Sequence, residues 1–308
     1  MTTEAPAKVR YEYGRHETFA VRHGWLGKGL ERMDDCPSGF QADQDAVVAL
    51  GLGSRMVTSL RYWLEATGLA EERLASVNGI KVRQLHTSRL GRVIRERDPY
   101  LEYPATWWFV HLSLAQRSGS VWGWFFNDFR ERSFAREICI EAYVRHLNQH
   151  AAREPSLSVA QRDVACLLLA YGTSSASEPV DPEDGTASPL RELGLVVRHD
   201  AVKRYEKTRP LDEVPIEAFL ACAASEAAAL GQESLSMGDL LGRRGGPGMV
   251  FGLSGDSIEE MATRGARDYA SVGVTLDLLG AERRLRAPMM DGMHFWLERH
   301  FQRVGDSR

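Results

Sequence analysis

Two amphipathic stretches joined by a glycine turn constrain the fold of this chain more than any other feature. Residues 45–50 predict a short helix, and residues 54–67 predict a longer helix after a turn at Gly51. Ser54 is expected to cap the longer helix and Gly68 to end it. The apolar residues on one face of that helix are Met56, Val57, Leu60, Trp63 and Leu64. This pattern is typical of a helix-turn-helix.

A hairpin and a group of cations follow these two helices. Asn78-Gly79 lies between two short β-forming runs, which predicts a hairpin turn. Residues 73–97 contain one acid, Glu96, and seven basic residues, namely Arg73, Lys81, Arg83, Arg89, Arg92, Arg95 and Arg97. The pattern favours a winged helix whose cations contact DNA phosphates. Winged helices also dock on proteins, and basic helix faces are often merely solvated, so both alternatives stay open here.

The rest of the chain predicts an aromatic core and a second unit of the same plan. Residues 98–134 carry four tryptophans on helices too apolar to face water, which favours core over a base-stacking surface. Residues 172–189 are rich in Gly, Ser, Pro and acids and predict a surface loop. From residue 215 onward, helices precede an alternating run centred on Gly280, which predicts a second hairpin.

Together these patterns predict a mainly α chain with small β-hairpins. The expected domains are residues 1–153, with an N-terminal winged helix-turn-helix and a helical region, and residues 154–308, with a second winged-helix-like unit. The first contains 21 Lys/Arg and 18 Asp/Glu, whereas the second contains 17 and 24. A polyanionic partner is therefore expected to bind the first domain, and the acidic second domain is expected to dock proteins or form a homodimer.

Composition argues against several classes of protein. No run approaches the roughly 20 apolar residues of a membrane span, and the first 14 residues lack the apolar core of a secretion signal. A cytoplasmic protein that does not bind membranes is therefore expected. The four cysteines lack metal-ligand spacing, which predicts core thiols rather than a zinc site or disulfides.

Residues 13–30 crowd charged groups and imidazoles among large apolar side chains. The charged and imidazole side chains are those of Arg15, His16, Glu17, Arg22, His23 and Lys28. Three glycines, Gly24, Gly27 and Gly29, each lower helix propensity by roughly 1 kcal/mol relative to Ala, so a bent or capped segment is predicted. We interpret the segment as a functional site. The alternative is a structural ion-pair network of Glu17 with the arginines.

Several sequence blocks occur in order from residue 13 to about residue 286. They include YGRHETFAVRHGWLGKGL, LGLGSRMVTSLRYWLEATGL, WGWFFNDF, RDVACLLLAYG and GPGMVFGLSGDSIEE. These blocks resemble a bacterial family of unknown function that includes the SspB-like nicking protein of single-strand DNA phosphorothioation. The resemblance implies a DNA-nicking protein that acts with companion sulfur-modification proteins in anti-phage defence. The family has no signature motif from which a catalytic residue could be assigned to this sequence.

Phosphodiester cleavage needs a nucleophile, cations on the phosphoryl oxygens and usually carboxylates that bind Mg²⁺. The catalytic hypothesis therefore names His16, Glu17 and Arg22, with Glu17 also as a ligand of Mg²⁺ or another divalent cation. The alternative is that Glu17 pairs with Arg22 to brace the fold. The residues predicted to contact DNA are Arg15, Lys28, Arg55, Arg61, Lys81, Arg83, Arg89, Arg92 and Arg95.

Two other functions remain open at this point. A non-catalytic DNA-binding adaptor would recruit the modification complex through the acidic C-terminal half. A transcription regulator would explain the helix-turn-helix, but it would leave the segment at residues 13–30 and the additional helices unexplained.

Overall fold

Helices make up most of the described part of the chain, and nine strands there form three small sheets. The computed structural model describes residues 8–36, 40, 44–77, 80–174, 187–209, 214–289 and 291–305. At this level the prediction of a mainly helical chain with small hairpins is confirmed. Within these residues, none of the helices has the length and apolar character needed to cross a membrane.

The N-terminal part consists of three helices, a hairpin and a fourth helix. Its elements are α1 (Trp25–Asp35), α2 (Gln44–Leu50), α3 (Ser54–Ala66), β1 (Ala70–Val77), β2 (Ile80–Thr87) and α4 (Arg89–Arg97). The predicted turn at Gly51 and the predicted left-handed helix end at Gly68 are confirmed by φ values of 64° and 72°. The predicted Ser54 cap is wrong, because Gly53 occupies the cap position and Ser54 is the first helical residue. Asn78-Gly79 lies outside the described residues, but β1 and β2 pair antiparallel up to it.

The helix α1 shows why the glycines of the N-terminal segment do not prevent helix formation. A Cβ on Gly27 would lie 2.9 Å from the Pro99 carbonyl oxygen, and a Cβ on Gly29 would lie 2.7 Å from a Leu64 methyl group. Both glycines allow close packing of α1, which offsets their unfavourable helix propensity. The predicted bend is confined to the residues before α1.

The middle part contains the aromatic core. Its elements are α5 (Pro104–Gln116), α6 (Val121–Asn127), β3 (Ser133–Phe134), α7 (Arg136–His150), α8 (Leu157–Tyr171), β4 (Gly172–Ser174), β5 (Val196–His199) and β6 (Arg204–Lys207). The strands form one sheet in the order β3-β6-β5-β4, with β4 parallel to β5. All four tryptophans of α5 and α6 are buried, so the predicted core is confirmed. The predicted loop at residues 172–189 begins instead with β4, and residues 175–186 lie outside the described residues.

The C-terminal part repeats the order of helices followed by a hairpin. Its elements are α9 (Ile216–Ala229), β7 (Leu235–Ser236), α10 (Met237–Gly242), α11 (Pro247–Val250), α12 (Gly255–Asp268), β8 (Thr275–Leu279), β9 (Glu282–Arg286) and α13 (Met293–Gly305). The predicted hairpin at Gly280 is confirmed, and the strand β7 extends it to three strands in the order β7-β9-β8.

The helix α13 packs against elements of the N-terminal, middle and C-terminal parts of the chain. It packs against α9, α4 and α5. The carboxylate of Glu217 on α9 holds it in place by accepting hydrogen bonds from Arg303 at 2.6 Å and from His300 at 2.9 Å. Tyr269 also donates to this buried carboxylate. The buried residues of both halves form one core, and the division at residue 153 stays a prediction.

Candidate functional site

The segment before α1 makes a tight bend. Glu17 and Thr18 both have left-handed backbones, with φ values of 52° and 69°. The Glu17 amide donates to the Gly14 carbonyl at 3.1 Å, and the Phe19 amide donates to the His16 carbonyl at 2.9 Å. Consecutive left-handed residues other than glycine are uncommon and persist only where the surroundings hold them. The predicted bend is therefore confirmed.

A buried histidine and aspartate hold one side of this bend. The Asp163 carboxylate on α8 lies 2.9 Å from Nε2 of His16 and also accepts from the Gly14 amide at 2.9 Å. The Thr18 amide donates to Nδ1 of His16 at 3.0 Å. Because Nδ1 accepts, Nε2 carries the proton that His16 donates to Asp163. Both ring nitrogens of His16 are thus engaged, and the residue is only 2% exposed.

The helix α3 holds the other side of the bend. Oγ of Ser59 donates to the His16 carbonyl at 2.8 Å, and Nε1 of Trp63 donates to the Phe19 carbonyl at 3.0 Å. Both donors come from the apolar face of α3, so the packing that buries Trp63 also fixes the backbone of the bend. The segment from Gly14 to Phe19 is therefore held rigidly between two helices.

The bend brings together a group of side chains that we call the Phe19 cluster, consisting of Glu17, Phe19, Arg22, Trp25 and Arg55. Nε of Arg55 donates to the Glu17 carboxylate at 3.1 Å. The guanidinium groups of Arg22 and Arg55 lie 6.0 Å and 5.9 Å from the centre of the Phe19 ring. Arg22 also lies 5.7 Å from the Trp25 ring. The cluster thus combines one carboxylate and two guanidinium groups that lie close to aromatic rings.

Glu17 forms an ion pair with Arg55 and not with Arg22, the partner that the structural alternative predicts. Glu17 bonds Arg55 because the left-handed turn directs its side chain towards the first turn of α3. Arg22 instead lies over aromatic rings. Of the three predicted catalytic residues, Glu17 and Arg22 are partly exposed members of the Phe19 cluster, whereas His16 lies in the interior. Their catalytic roles stay predictions.

Three of the predicted DNA contacts belong to a row of alternating charges that we call the charge ladder. Its members, in order, are Arg117, Glu12, Arg15, Glu65, Arg61, Glu72 and Arg83, with neighbouring charges 2.8–3.3 Å apart. Burial opposes the charge of Arg15, but the carboxylates of Glu65 and Glu12 outweigh it and raise the pKa of Arg15. Arg61 is mostly covered at 21% side-chain exposure, whereas Arg83, on the hairpin, is 70% exposed.

The remaining predicted DNA contacts lie on the hairpin, α4 and α1. Lys81 is exposed on β2, and Lys28 is exposed on α1. On α4, Arg89 pairs with Asp291 at 2.8 Å, and Arg92 donates to the Thr87 carbonyl at 3.4 Å. Nη1 of Arg95 donates to the carbonyl of Leu30 at 3.0 Å. We call the exposed cations Lys81, Arg83, Arg89 and Arg92 the basic surface.

The residue that the sequence analysis missed is Asp163. It lies on the buried face of α8, beside Ala160, Val164 and Leu167. An acid on an otherwise apolar helical face is the signal that indicates a buried partner. Its second carboxylate oxygen is buried without a hydrogen-bond partner in the described part of the chain.

The described residues contain no group of three or more His, Cys, Asp or Glu side chains placed to hold a metal ion. Glu17 is the one carboxylate of the Phe19 cluster, and about a third of its side chain is exposed. Mg²⁺ in phosphate-cutting sites is commonly held by one or two carboxylates, with water and substrate phosphate completing the shell. A single exposed carboxylate therefore fits Mg²⁺ only when a phosphate is also present.

Comparison with known proteins identifies the family. Residues 13–281 match the family model described as protein of unknown function (DUF4007), and the chain belongs to that family. An SspB crystal structure is 25% identical, with a TM-score of 0.81 over 97% of this chain and 88% of its own. A magnesium ion-bound SspB crystal structure is also 25% identical, with a TM-score of 0.85 over 98% and 91%. No curated protein matched.

Proposed function

We propose that this chain is a cytoplasmic DNA-binding protein that nicks one strand as part of a backbone phosphorothioation and anti-phage defence system. The likeness to SspB over nearly the full length of both chains supports the link to phosphorothioation. The observation that carries the chemistry is the Phe19 cluster, in which Glu17 lies on a bend held from both sides and the guanidinium groups of Arg22 and Arg55 lie by the Phe19 ring.

Duplex binding is assigned to the N-terminal part. We infer a winged helix here from the order α1, α2, α3, β1, β2, in which α3 would take the position of the recognition helix. Ser54, Arg55 and Thr58 are exposed at the start of α3, and the basic surface extends from there along the hairpin and α4. We infer that α3 enters a groove while the basic surface contacts phosphates. Arg61 supports these elements through its ion pairs with Glu65 and Glu72.

In this proposal Arg22 and Arg55 bind the phosphate that is cut. Two guanidinium groups offer several N–H donors to the phosphoryl oxygens and stabilise the charge that develops during cleavage. Glu17 lies between this phosphate position and α3 and would hold Mg²⁺ together with the DNA. Bound there, Mg²⁺ would supply further positive charge next to the phosphate. His16 acts as a positioning residue, because its bonds to Asp163 and Thr18 fix the turn that presents Glu17.

The nicking activity is tested directly with supercoiled plasmid. The pure protein is expected to convert it to the open-circular form with Mg²⁺ and to leave it supercoiled in EDTA. Conversion that is equal in both buffers would contradict the role of Mg²⁺. DNA binding without conversion in either buffer would contradict the proposed nicking activity.

The second candidate function is a non-catalytic DNA-binding adaptor. It is favoured by the single carboxylate of the Phe19 cluster and by the buried position of His16. The adaptor would bring companion sulfur-modification proteins to DNA through the acidic C-terminal half. The elements α9, β7, α10, α11, α12, β8 and β9 follow one another in the order expected for a winged helix with one additional short helix, and α12 exposes both acids and arginines. We propose this unit as the docking or homodimer surface.

A further inference from the structure

A cavity of about 440 Å³ opens between α1 and α4, close to the Phe19 cluster. Its lining residues are Gly24, Gly27, Lys28, Leu30, Glu31, Arg95, Pro99 and Tyr100. This volume is within the range of about 300–1,000 Å³ that small-molecule sites occupy. The proposed cleavage chemistry uses the Phe19 cluster and not this cavity.

One wall of the cavity is an aromatic side chain in contact with water. Tyr100 is 77% exposed, directly after Pro99 in the turn that follows α4. The missing side chain of Gly27 lets this turn approach α1, since a Cβ there would lie 2.9 Å from the Pro99 carbonyl oxygen. The close approach places the Tyr100 turn beside the first turns of α1. An exposed ring at the edge of a cavity is a stacking surface for a planar group.

Two cations also line the cavity, one from each helix. Lys28 is exposed on α1. The guanidinium of Arg95 is held at the cavity by its 3.0 Å bond to the Leu30 carbonyl. Glu31 is the one acid in the lining, so the charges there sum to a positive value. The larger cavity beside the charge ladder, of about 570 Å³, has three arginines and three glutamates in its lining and offers no such excess.

The position of the cavity connects it to the Phe19 cluster. Gly24, in its lining, directly precedes Trp25, and the Trp25 ring lies 6.4 Å from the Phe19 ring. On the other side, Arg95 belongs to α4, which carries Arg89 and Arg92 of the basic surface. The cavity thus adjoins α1, whose first residue belongs to the Phe19 cluster, and α4, which carries two cations of the basic surface.

We propose that this cavity takes up one unpaired nucleotide of the DNA strand that is cut. Its base stacks on Tyr100, and its phosphate contacts Lys28 and Arg95. Withdrawing one nucleotide from the duplex would bend the strand at the neighbouring phosphate and expose that phosphate to Arg22 and Glu17. The inference rests on the proposed DNA-nicking function. It adds that the site accepts a strand with one unpaired nucleotide.

The test compares two duplexes of equal length in EDTA, one fully paired and one with a single unpaired 2-aminopurine. The intact protein is expected to bind the second more tightly by about fivefold to a hundredfold, the range for one base stacked on an aromatic side chain. Tyr100→Ala should remove this preference and keep the affinity for paired DNA, whereas Tyr100→Phe should retain both. The fluorescence of 2-aminopurine should be quenched by the intact protein and not by Tyr100→Ala.

Equal affinity of the intact protein for both duplexes would overturn the inference. A preference or a quenching that survives Tyr100→Ala would also overturn it. In either case, tight binding of the paired duplex would leave the proposed DNA-binding function standing. Failure to bind either duplex would remove the proposed function and this inference with it.

Discussion

The Glu17 carboxylate accepts a hydrogen bond of 3.1 Å from Nε of Arg55, which joins the N-terminal bend to the first turn of α3. Nη2 of the same arginine donates to the Glu17 carbonyl at 3.4 Å. Because Arg55 is also proposed to meet DNA, a phosphate that binds it would change the surroundings of Glu17. The pair therefore links the proposed recognition helix to the proposed cutting site.

Arg55→Ala and Trp63→Ala should separate DNA binding from stability. Arg55 is 64% exposed, so its loss should weaken DNA binding and leave the free energy of unfolding nearly unchanged. Trp63 is fully buried against Trp122 and bonds the Phe19 carbonyl, so Trp63→Ala should cost about 3–5 kcal/mol. Urea unfolding and a DNA-binding titration check both variants. A stable Trp63→Ala protein with lost DNA affinity would reverse the assignment.

The sequence predicted the elements that depend on local pattern. The apolar spacing of α3 and the turn residues Gly51 and Gly280 lie where the structure has them. The four-stranded sheet escaped prediction because its strands have two to four residues and pair over long separations, as Phe134 does with Tyr205. The helix α1 escaped prediction because the packing of Gly27 and Gly29 becomes visible only in three dimensions.

Binding of duplex DNA should depend strongly on salt. The basic surface offers several phosphate contacts, so raising salt from about 50 to 200 mM should lower the affinity on the order of a hundredfold or more. Arg92→Ala should reduce the slope of log affinity against log salt by about one. Arg267→Ala is the matched control, since Arg267 is exposed on α12 and pairs with Asp268. An affinity independent of salt would contradict phosphate contact.

His16→Ala should destabilise the fold without abolishing nicking by the folded protein. The substitution removes the 2.9 Å bond to Asp163, which is buried, and should cost about 3 kcal/mol. Thermal unfolding and plasmid nicking below the unfolding temperature measure the two effects. A variant that keeps wild-type stability and DNA binding but no longer nicks would instead support a direct catalytic role for His16.

Acid should weaken the packing of the helix α13, because its contacts depend on the charge of Glu217. Burial opposes the charge of Glu217, but hydrogen bonds from His300, Arg303 and Tyr269 outweigh it and lower its pKa from 4.5 to about 2. The folded-state pKa is depressed, so this stability of about 3 kcal/mol is present above pH 4.5 and is lost as pH falls towards 2. The difference in unfolding free energy between wild type and Glu217→Gln should shrink over that window. A difference independent of pH would contradict this account.

The candidate site was predicted less completely than the fold. The crowding of residues 13–30 indicated a site, and Glu17 does bond Arg55, whose guanidinium lies near the same Phe19 ring as that of Arg22. The sequence could not show that His16 points inward, because its partner Asp163 is 147 residues away. Nor could it show that partly buried Lys207 packs on the Phe125 ring and donates to the Phe129 carbonyl, where desolvation lowers its pKa to about 7. Such pairings depend on the tertiary fold.

Glu17 is proposed to serve strand cleavage, and the most direct test is the nicking rate of Glu17→Gln at equal bound DNA. The control is Glu260→Gln, an exposed glutamate on α12. With Mg²⁺ and supercoiled plasmid, Glu17→Gln should bind DNA and nick roughly a hundredfold more slowly or worse, while Glu260→Gln nicks like wild type. Nicking by Glu17→Gln at the wild-type rate would contradict the account.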